Sequence, residues 1–467
     1  MSWVLLALAT LAACEVLSRI DLAGQLQSLS ETASRAVRVI SNPAISDHWK
    51  ERILPRYALR IAWAAITSFV LLLVALSPFA LLVVVAPLWG ADFAAFLVGW
   101  SAILACTGLG LGYMLLRRRL HMVAPNSAYS PMERLLHRLA LASAARGETL
   151  FDLEKATAPS APKAIDEGRH VFVVGLARAG TTVLLRAIHD SGEFASLTYR
   201  DMPFVLAPNL WARFRGDRKT VEGLSERAHG DGILVSVDSP EALEEPFWRS
   251  FCGSEYLRCD RLVPHQPDAS TIADYRRFVS HVCARYGRAR YLAKNNNSIL
   301  RLPALCAAFP EGIILTPFRH PHRHAASLLR QHERFCADPE PFTQEYMGLL
   351  AHHEFGPTHR PFVMNAKPAG TSNDVNYWLA MWIDVHRDLL ARAEENVRQI
   401  LPIAHEDLCD ESSGIWQALA KRLDVPPAPS GFSLRHSEVP AADASSLAEA
   451  ELLYQRLHDL SQQRLLR

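Results

Sequence analysis

From Ile61 to Leu116 the chain runs for 56 residues with one formal charge, Asp92. A membrane-crossing helix takes about 20 apolar residues. The stretch therefore holds two, over 61–86 and 93–116, joined by a turn at Pro87-Leu88-Trp89-Gly90-Ala91-Asp92. Pro78 falls inside the first span, where a kink is tolerated. Trp89 and Trp100 are amphipathic rings of the kind found at membrane interfaces. Lys50, Arg52, Arg56 and Arg60 precede the pair, and Arg117, Arg118 and Arg119 follow it. Under the positive-inside rule both flanks are cytoplasmic. The expectation is a multi-pass protein of an inner or plasma membrane, with everything after residue 119 in the cytoplasm.

The N-terminal segment, 1–60, is apolar over Ser2–Val16 and then mixed. Its first part is too short for an ordinary span and lacks a positive leader, so it reads as a short third span or an interfacial helix. Residues 20–40 have the spacing of an amphipathic surface helix or of a solvated linker helix. After the hairpin (61–119) comes a linker, 120–168, with an Ala/Pro-rich run at 156–163. A globular domain then fills 169–467, long enough for a large core. The 49 basic and 48 acidic side chains divide as 7 and 6 before residue 117 and 42 and 42 after it. A domain so balanced is not built to coat nucleic acid, which calls for a basic excess. The eight cysteines form no Cys-x-x-Cys pair. Zinc ribbons, thioredoxin motifs and dense disulfide frameworks lack support, and free thiols in a reducing compartment fit.

The globular domain opens with His170-Val171-Phe172-Val173-Val174, an apolar run that reads as a buried parallel strand. Gly175-Leu176-Ala177-Arg178-Ala179-Gly180-Thr181-Thr182 follows, and then a helical pattern from Val183. Strand, glycine-spaced loop and helix make an anion cradle. The spacing Gly-x-x-x-x-Gly matches a nucleotide-triphosphate loop, but Thr181 stands where that loop has lysine. Losing that lysine while gaining Arg178 inside the loop suggests a different donor, with one phosphate to hold and no metal.

A second constellation lies further on. Arg290–Lys294 reads as a strand ending in Asn295-Asn296-Asn297, and Ile313–Phe318 as another ending in Arg319. A helix then carries Ser327. In open parallel sheets ligands sit at the carboxyl ends of the strands, and an Arg with a Ser makes a phosphate clamp.

These residues resemble the sulfotransferases that use 3′-phosphoadenosine 5′-phosphosulfate (PAPS), in their bacterial and tyrosylprotein-type branches. The loop Arg178-Ala179-Gly180-Thr181-Thr182 is similar to their 5′-phosphate loop, with Ala179 where Ser is common. Arg319 and Ser327, eight residues apart, resemble their 3′-phosphate site. Lys294, Phe309-Pro310, the acidic run Asp238–Glu245 and Ala404-His405-Glu406-Asp407-Leu408 resemble further family elements. The likeness covers about 170–425.

The resemblance implies an α/β fold, a parallel sheet flanked by helices, behind the membrane hairpin. It implies PAPS as sulfuryl donor, no metal, and an acceptor hydroxyl or amine. Arg178 and Lys294 would face charge growing on the bridging oxygen. The acceptor's base would be a carboxylate about twenty residues past the loop, where Asp201 stands. Asp201 reads equally as a helix cap before Pro203. Glu241, Glu244 and Glu245 are alternatives that also read as a solvated helix face. His320-Pro321-His322-Arg323-His324 and His352-His353 lack metal-ligand spacing. His332 and His353, with Trp211, Phe247, Trp248, Tyr256 and Phe335, are expected around a small-molecule or lipid-like acceptor. The competing functions are a P-loop kinase or nucleotidase and an inactive membrane scaffold.

Overall fold

The computed structural model describes residues 2–19, 47–85, 96–97, 99–121, 131–158, 168–215, 225–226, 234–236, 238–337, 341–427, 431–434 and 438–466. The amphipathic segment expected over 20–40, the turn at 87–92 and residues 159–163 of the linker lie outside them. The chain divides into two units, Met1–Met132 and Glu133–Arg467.

The first unit contains helices α1 (Ser2–Arg19), α2 (Asp47–Val85) and α3 (Trp100–His121). One segment, Ile61–Val84, with mean hydropathy 2.5 over its most apolar window, is long and apolar enough to cross a membrane. The expected partner span is shorter: its apolar stretch is Trp100–Tyr113, thinned by Gly108, Gly110 and Gly112. Among the described residues one helix therefore has the length and composition of a span, and the expected two-span hairpin is not established.

Helix α1 packs on both others. Trp3 meets Phe96 edge-on at 4.9 Å. Thr10 Oγ1 lies 3.3 Å from Cys106 Sγ. Tyr113 donates to Glu15 Oε2 at 2.6 Å. Those pairings make α1 parallel to α3. Leu6 and Ala102 are buried against Phe79, Leu82 and Val83 near the end of α2, which makes α2 antiparallel to both. The seam is built of small or polar residues, Ala9, Thr10, Ala13, Cys14, Ala75 and Ala102, while Leu8, Phe69, Leu81, Val84 and Leu104 are exposed.

Helix α4 (Pro131–Leu141) starts at the boundary and runs into the second unit, where α5 (Ala144–Thr157) follows. Both fall in the stretch expected as linker. Helix α5 is drawn into the fold because Phe151 packs edge-on against Phe247 at 5.6 Å and Phe251 at 5.4 Å. The chain continues through β1 (Val171–Val173), α6 (Thr181–His189), β2 (Phe194–Ala195), α7 (Pro208–Arg215), β3 (Ser225–Glu226), β4 (Leu234–Val235), α8 (Glu245–Tyr256) and α9 (Ala269–Tyr286). Then come β5 (Arg290–Lys294), α10 (Leu302–Ala308), β6 (Ile313–Phe318), α11 (Pro321–Ala337), α12 (Pro341–Leu349), α13 (Val375–Glu395), β7 (Ile400–Ala404), α14 (His405–Cys409), α15 (Ile415–Leu423) and α16 (Ala444–Leu466).

Strands β2-β5-β1-β6-β7 form one sheet in that order, with parallel pairing throughout. Alternation along β1 sends Val171 and Val173 into a core with Leu184, Leu185, Ile188, Leu315 and Leu419. Phe172 points to the opposite face and packs on Tyr291 and Phe309. Each fully buried aliphatic side chain contributes about 1.5–3 kcal/mol, so both faces of β1 anchor the loop that follows it. The parallel α/β expectation holds.

Candidate active site

Four strands end at one edge of the sheet. Val173 is level with Lys294 and Leu315, and Phe318 with Ala404. Side chains that follow those ends converge where the strand order reverses at β1.

The loop between β1 and α6 is set by close approaches. A Cβ at Gly175 would stand 2.9 Å from the Pro317 carbonyl oxygen, so β1 and β6 stay this close only with glycine there. Arg178 (φ 71) and Gly180 (φ 88) are both left-handed, a region that costs a side chain such as arginine strain. At Gly180 a Cβ would also run into the His405 ring. Gly180 is the N-cap of α6 and supplies no capping side chain. Thr181 and Thr182 open that helix and are buried. A helix start leaves its first amides without intrahelical partners, which together with the dipole suits an anion.

The two expected phosphate elements meet. Arg178 Nε donates to Ser327 Oγ at 3.4 Å across 149 residues of sequence. Arg319 stands at the end of β6, two residues before α11. Burial pushes its guanidinium below the usual arginine range, opposed by the Glu406 carboxylate. Glu406 Oε1 accepts from the His320 amide at 3.0 Å and Oε2 from the Tyr454 hydroxyl at 3.3 Å, which ties down the turn carrying Arg319.

Lys294 is enclosed, and its Nζ lies 3.2 Å from Glu241 Oε1. The expected solvated face of Glu241, Glu244 and Glu245 is buried instead, because these carboxylates meet the polar end of β5. Glu244 accepts from Trp248 Nε1 at 3.1 Å and the Tyr291 hydroxyl at 3.0 Å. Burial still pushes its carboxyl up. Glu245 takes both Arg301 amino groups, at 2.9 and 3.0 Å, and Asn295 Nδ2 at 2.7 Å. Burial works against its charge, but Arg301 outweighs burial and holds the carboxyl below the usual range.

Asp201 lies in a capping box with Thr198. Its Oδ2 accepts from the Thr198 amide at 2.9 Å and the Tyr286 hydroxyl at 2.5 Å, and only 1% of the residue is exposed. Burial pushes its carboxyl up, against those donors and Arg285. Of the two readings left open by the sequence, this geometry is the cap.

Phe247, Trp248 and Tyr256, expected around an acceptor, are core residues with 0% exposure. They pack with Tyr275, Phe278 and His265. Trp211 lies tilted against Phe204 at 4.6 Å, and Phe335 stacks on Phe355 at 6.1 Å. His332 Nδ1 accepts from the Gly356 amide at 3.2 Å. His353 donates to the Thr358 carbonyl at 3.3 Å, and burial pushes its pKa down to about 4. Among the described residues no group of three or more His, Cys, Asp or Glu could hold a metal ion.

Sequence reasoning missed the contacts beneath the loop. His324 Nε2 lies 2.8 Å from the Ala177 carbonyl oxygen, and the His405 ring sits against Gly180. The available signals were the three-residue spacing of His324 and Ser327, about one helical turn, and the position of His405 just past a strand end.

Residues 170–356 match the sulfotransferase family. That stretch carries the loop, Lys294, Arg319 and Ser327. No curated protein matches the chain. Two solved structures are distantly similar at 15% identity. The sulfotransferase STF1 from Mycobacterium tuberculosis H37Rv aligns over 72% of this chain and 88% of its own, with a TM-score of 0.37. The sulfotransferase STF9 from Mycobacterium avium aligns over 71% and 89%, with a TM-score of 0.35. Both likenesses are too remote to place any residue's role.

Proposed function

We propose that this chain is a membrane-anchored sulfotransferase that moves a sulfuryl group from PAPS to the hydroxyl or amine of a small or lipid-like acceptor. The observation that carries this reading is the Arg178–Ser327 hydrogen bond. It joins a left-handed loop at a helix start to the helix that follows Arg319, an arrangement that would suit one ligand with two phosphate groups. The donor would supply the activated sulfuryl group. The loop amides, with Thr181 and Thr182, would hold the phosphate that leaves with the nucleotide. Arg319 and Ser327 would hold the other. Lys294 and Arg178 are the cations for charge that develops on the leaving oxygen.

For the acceptor's proton we assign Glu241 rather than Asp201. Glu241 lies against Lys294 at the sheet edge, and its Oε2 makes a long 3.5 Å contact with the Tyr199 hydroxyl, whereas the Asp201 oxygen Oδ2 takes short bonds from Thr198 and Tyr286. Membrane anchoring is supported by the apolar segment Ile61–Val84 and by a helical unit whose seam is small and polar while its outer surface is apolar. Such a pattern suits lipid, where close backbone contact replaces hydrophobic burial between helices.

The test is ligand-induced thermal stabilisation. Adenosine 3′,5′-bisphosphate should raise the melting temperature, and ATP with Mg²⁺ should not. Arg319→Ala should weaken the bisphosphate by roughly 10- to 150-fold, the worth of a lost charge-assisted bond. Stabilisation by ATP with Mg²⁺ alone would return the chain to the kinase reading.

A further inference from the structure

The left-handed Arg178 needs something to hold it, and α11 holds it from both sides. Ser327 takes the guanidinium. One turn earlier, His324 takes the carbonyl of Ala177, the peptide group that immediately precedes Arg178, at 2.8 Å. His324 has no exposed surface. Its second nitrogen, Nδ1, accepts from Trp382 Nε1 at 3.2 Å. An indole nitrogen can only donate. Nδ1 must therefore be the bare nitrogen, and the proton must sit on Nε2, where it reaches Ala177. Trp382, on α13, is fixed in turn. The His386 ring stacks on it at 4.0 Å with 19° between planes, and His386 Nδ1 donates to the Trp382 carbonyl at 2.8 Å.

We infer that His324 is a positioning residue for the sulfuryl donor: with Trp382 setting its tautomer, it holds the Ala177–Arg178 peptide so that Arg178 and the loop amides stand ready for the leaving phosphate. The inference rests on the donor-site reading above. A histidine that merely fills a core satisfies its nitrogens wherever it can. This one spends its only N–H on the carbonyl beside the strained residue of the loop, in a tautomer dictated by a second helix. The same logic operates where an outer residue fixes the ring orientation of a ligating histidine.

Three variants of the full chain test it. His324→Phe keeps a ring and loses both bonds. His324→Gln keeps one donor and one acceptor. Trp382→Phe removes the indole N–H together with part of a buried ring. In His324→Phe, affinity for adenosine 3′,5′-bisphosphate should fall about tenfold, the scale of one or two lost hydrogen bonds, and hydrogen exchange should quicken at the amides of 176–181. His324→Gln should recover most of both. Arg178→Ala, costly in the wild type, should cost much less in a His324→Phe background, because the arginine is already misplaced there. Equal costs of Arg178→Ala in the two backgrounds, or unchanged exchange in the loop, would overturn the inference and leave His324 a core residue. If His324→Phe does not fold, Trp382→Phe carries the same comparison, with about a threefold loss of affinity expected for one neutral bond. A wild type that fails to bind the bisphosphate at all overturns the donor-site reading and this role with it, while loop exchange still reports whether His324 braces the loop.

Discussion

Two adjacent glutamates show how environment assigns opposite signs to the same carboxyl group. The Glu245 carboxyl is held below its ordinary 4.5, with Arg301 overcoming burial. Its contribution is present above about pH 4.5 and fades as the pH falls through the folded value. The Glu244 carboxyl is pushed above 4.5 by burial. Its protonated form favours the fold, and that advantage is lost as the pH rises from about 4.5 through the folded value. In chemical denaturation across pH, Glu244→Gln should therefore gain on the wild type above pH ~4.5. Glu245→Gln should lose on it as the pH climbs toward ~4.5, and should cost about 3–5 kcal/mol at neutral pH by leaving Arg301 buried and alone. Parallel curves for the two variants would contradict these assignments. The two base candidates separate in the same way. Glu241→Gln should lower turnover by about 10²–10⁴-fold with bisphosphate affinity nearly intact. Asp201→Asn should instead lower stability, because it weakens a cap; a turnover collapse in Asp201→Asn at unchanged stability would restore it as the base.

At the level of elements, the loop between β1 and α6 offers a test of two separable strains. Gly180→Ala meets both an unfavourable dihedral and the His405 ring. It should destabilise by about 1–3 kcal/mol, and adding His405→Gly should return the steric part alone. Full recovery in the double variant would mean that the dihedral costs nothing. This loop was legible because its chemistry is local: glycines, an arginine and a helix start lie within eight residues. Arg319 and Ser327 could be named together for the same reason, as both lie on one strand–helix unit. What supports the loop was not. His324 sits in a histidine run with no pattern of its own, and its partners lie 147 and 58 residues away. The acidic run over 238–245 was readable as a motif, but not as buried, because nothing local reveals that Asn295 and Arg301 return to meet it. Phe247, Trp248 and Tyr256 were read as pocket residues for a like reason: composition does not say which side of a helix faces the core.

Across the whole molecule, the boundary after residue 132 separates two kinds of packing. The first unit should stay with membranes through a high-salt wash and leave them with detergent; release by salt alone would rule out the span. Because α1 runs parallel to α3 and antiparallel to α2, residue 2 should lie on the side opposite Arg19, Lys50 and Arg117. A cysteine placed at Ser2 and labelled by a membrane-impermeant reagent reads that sidedness, and equal labelling with a cysteine at Arg19 would place α1 on the surface. The seam of α1 has a further consequence. Ala9, Ala13 and Ala102 are closed in, and a Cβ at Gly110 would already touch the Cys14 sulfur at 3.4 Å. Under random substitution the two halves of this chain should therefore keep inverted records. In the sheet domain the large apolar positions should resist change. In the bundle the buried alanines of the seam should be the immovable ones, while Leu, Val and Phe on the outside exchange freely among themselves.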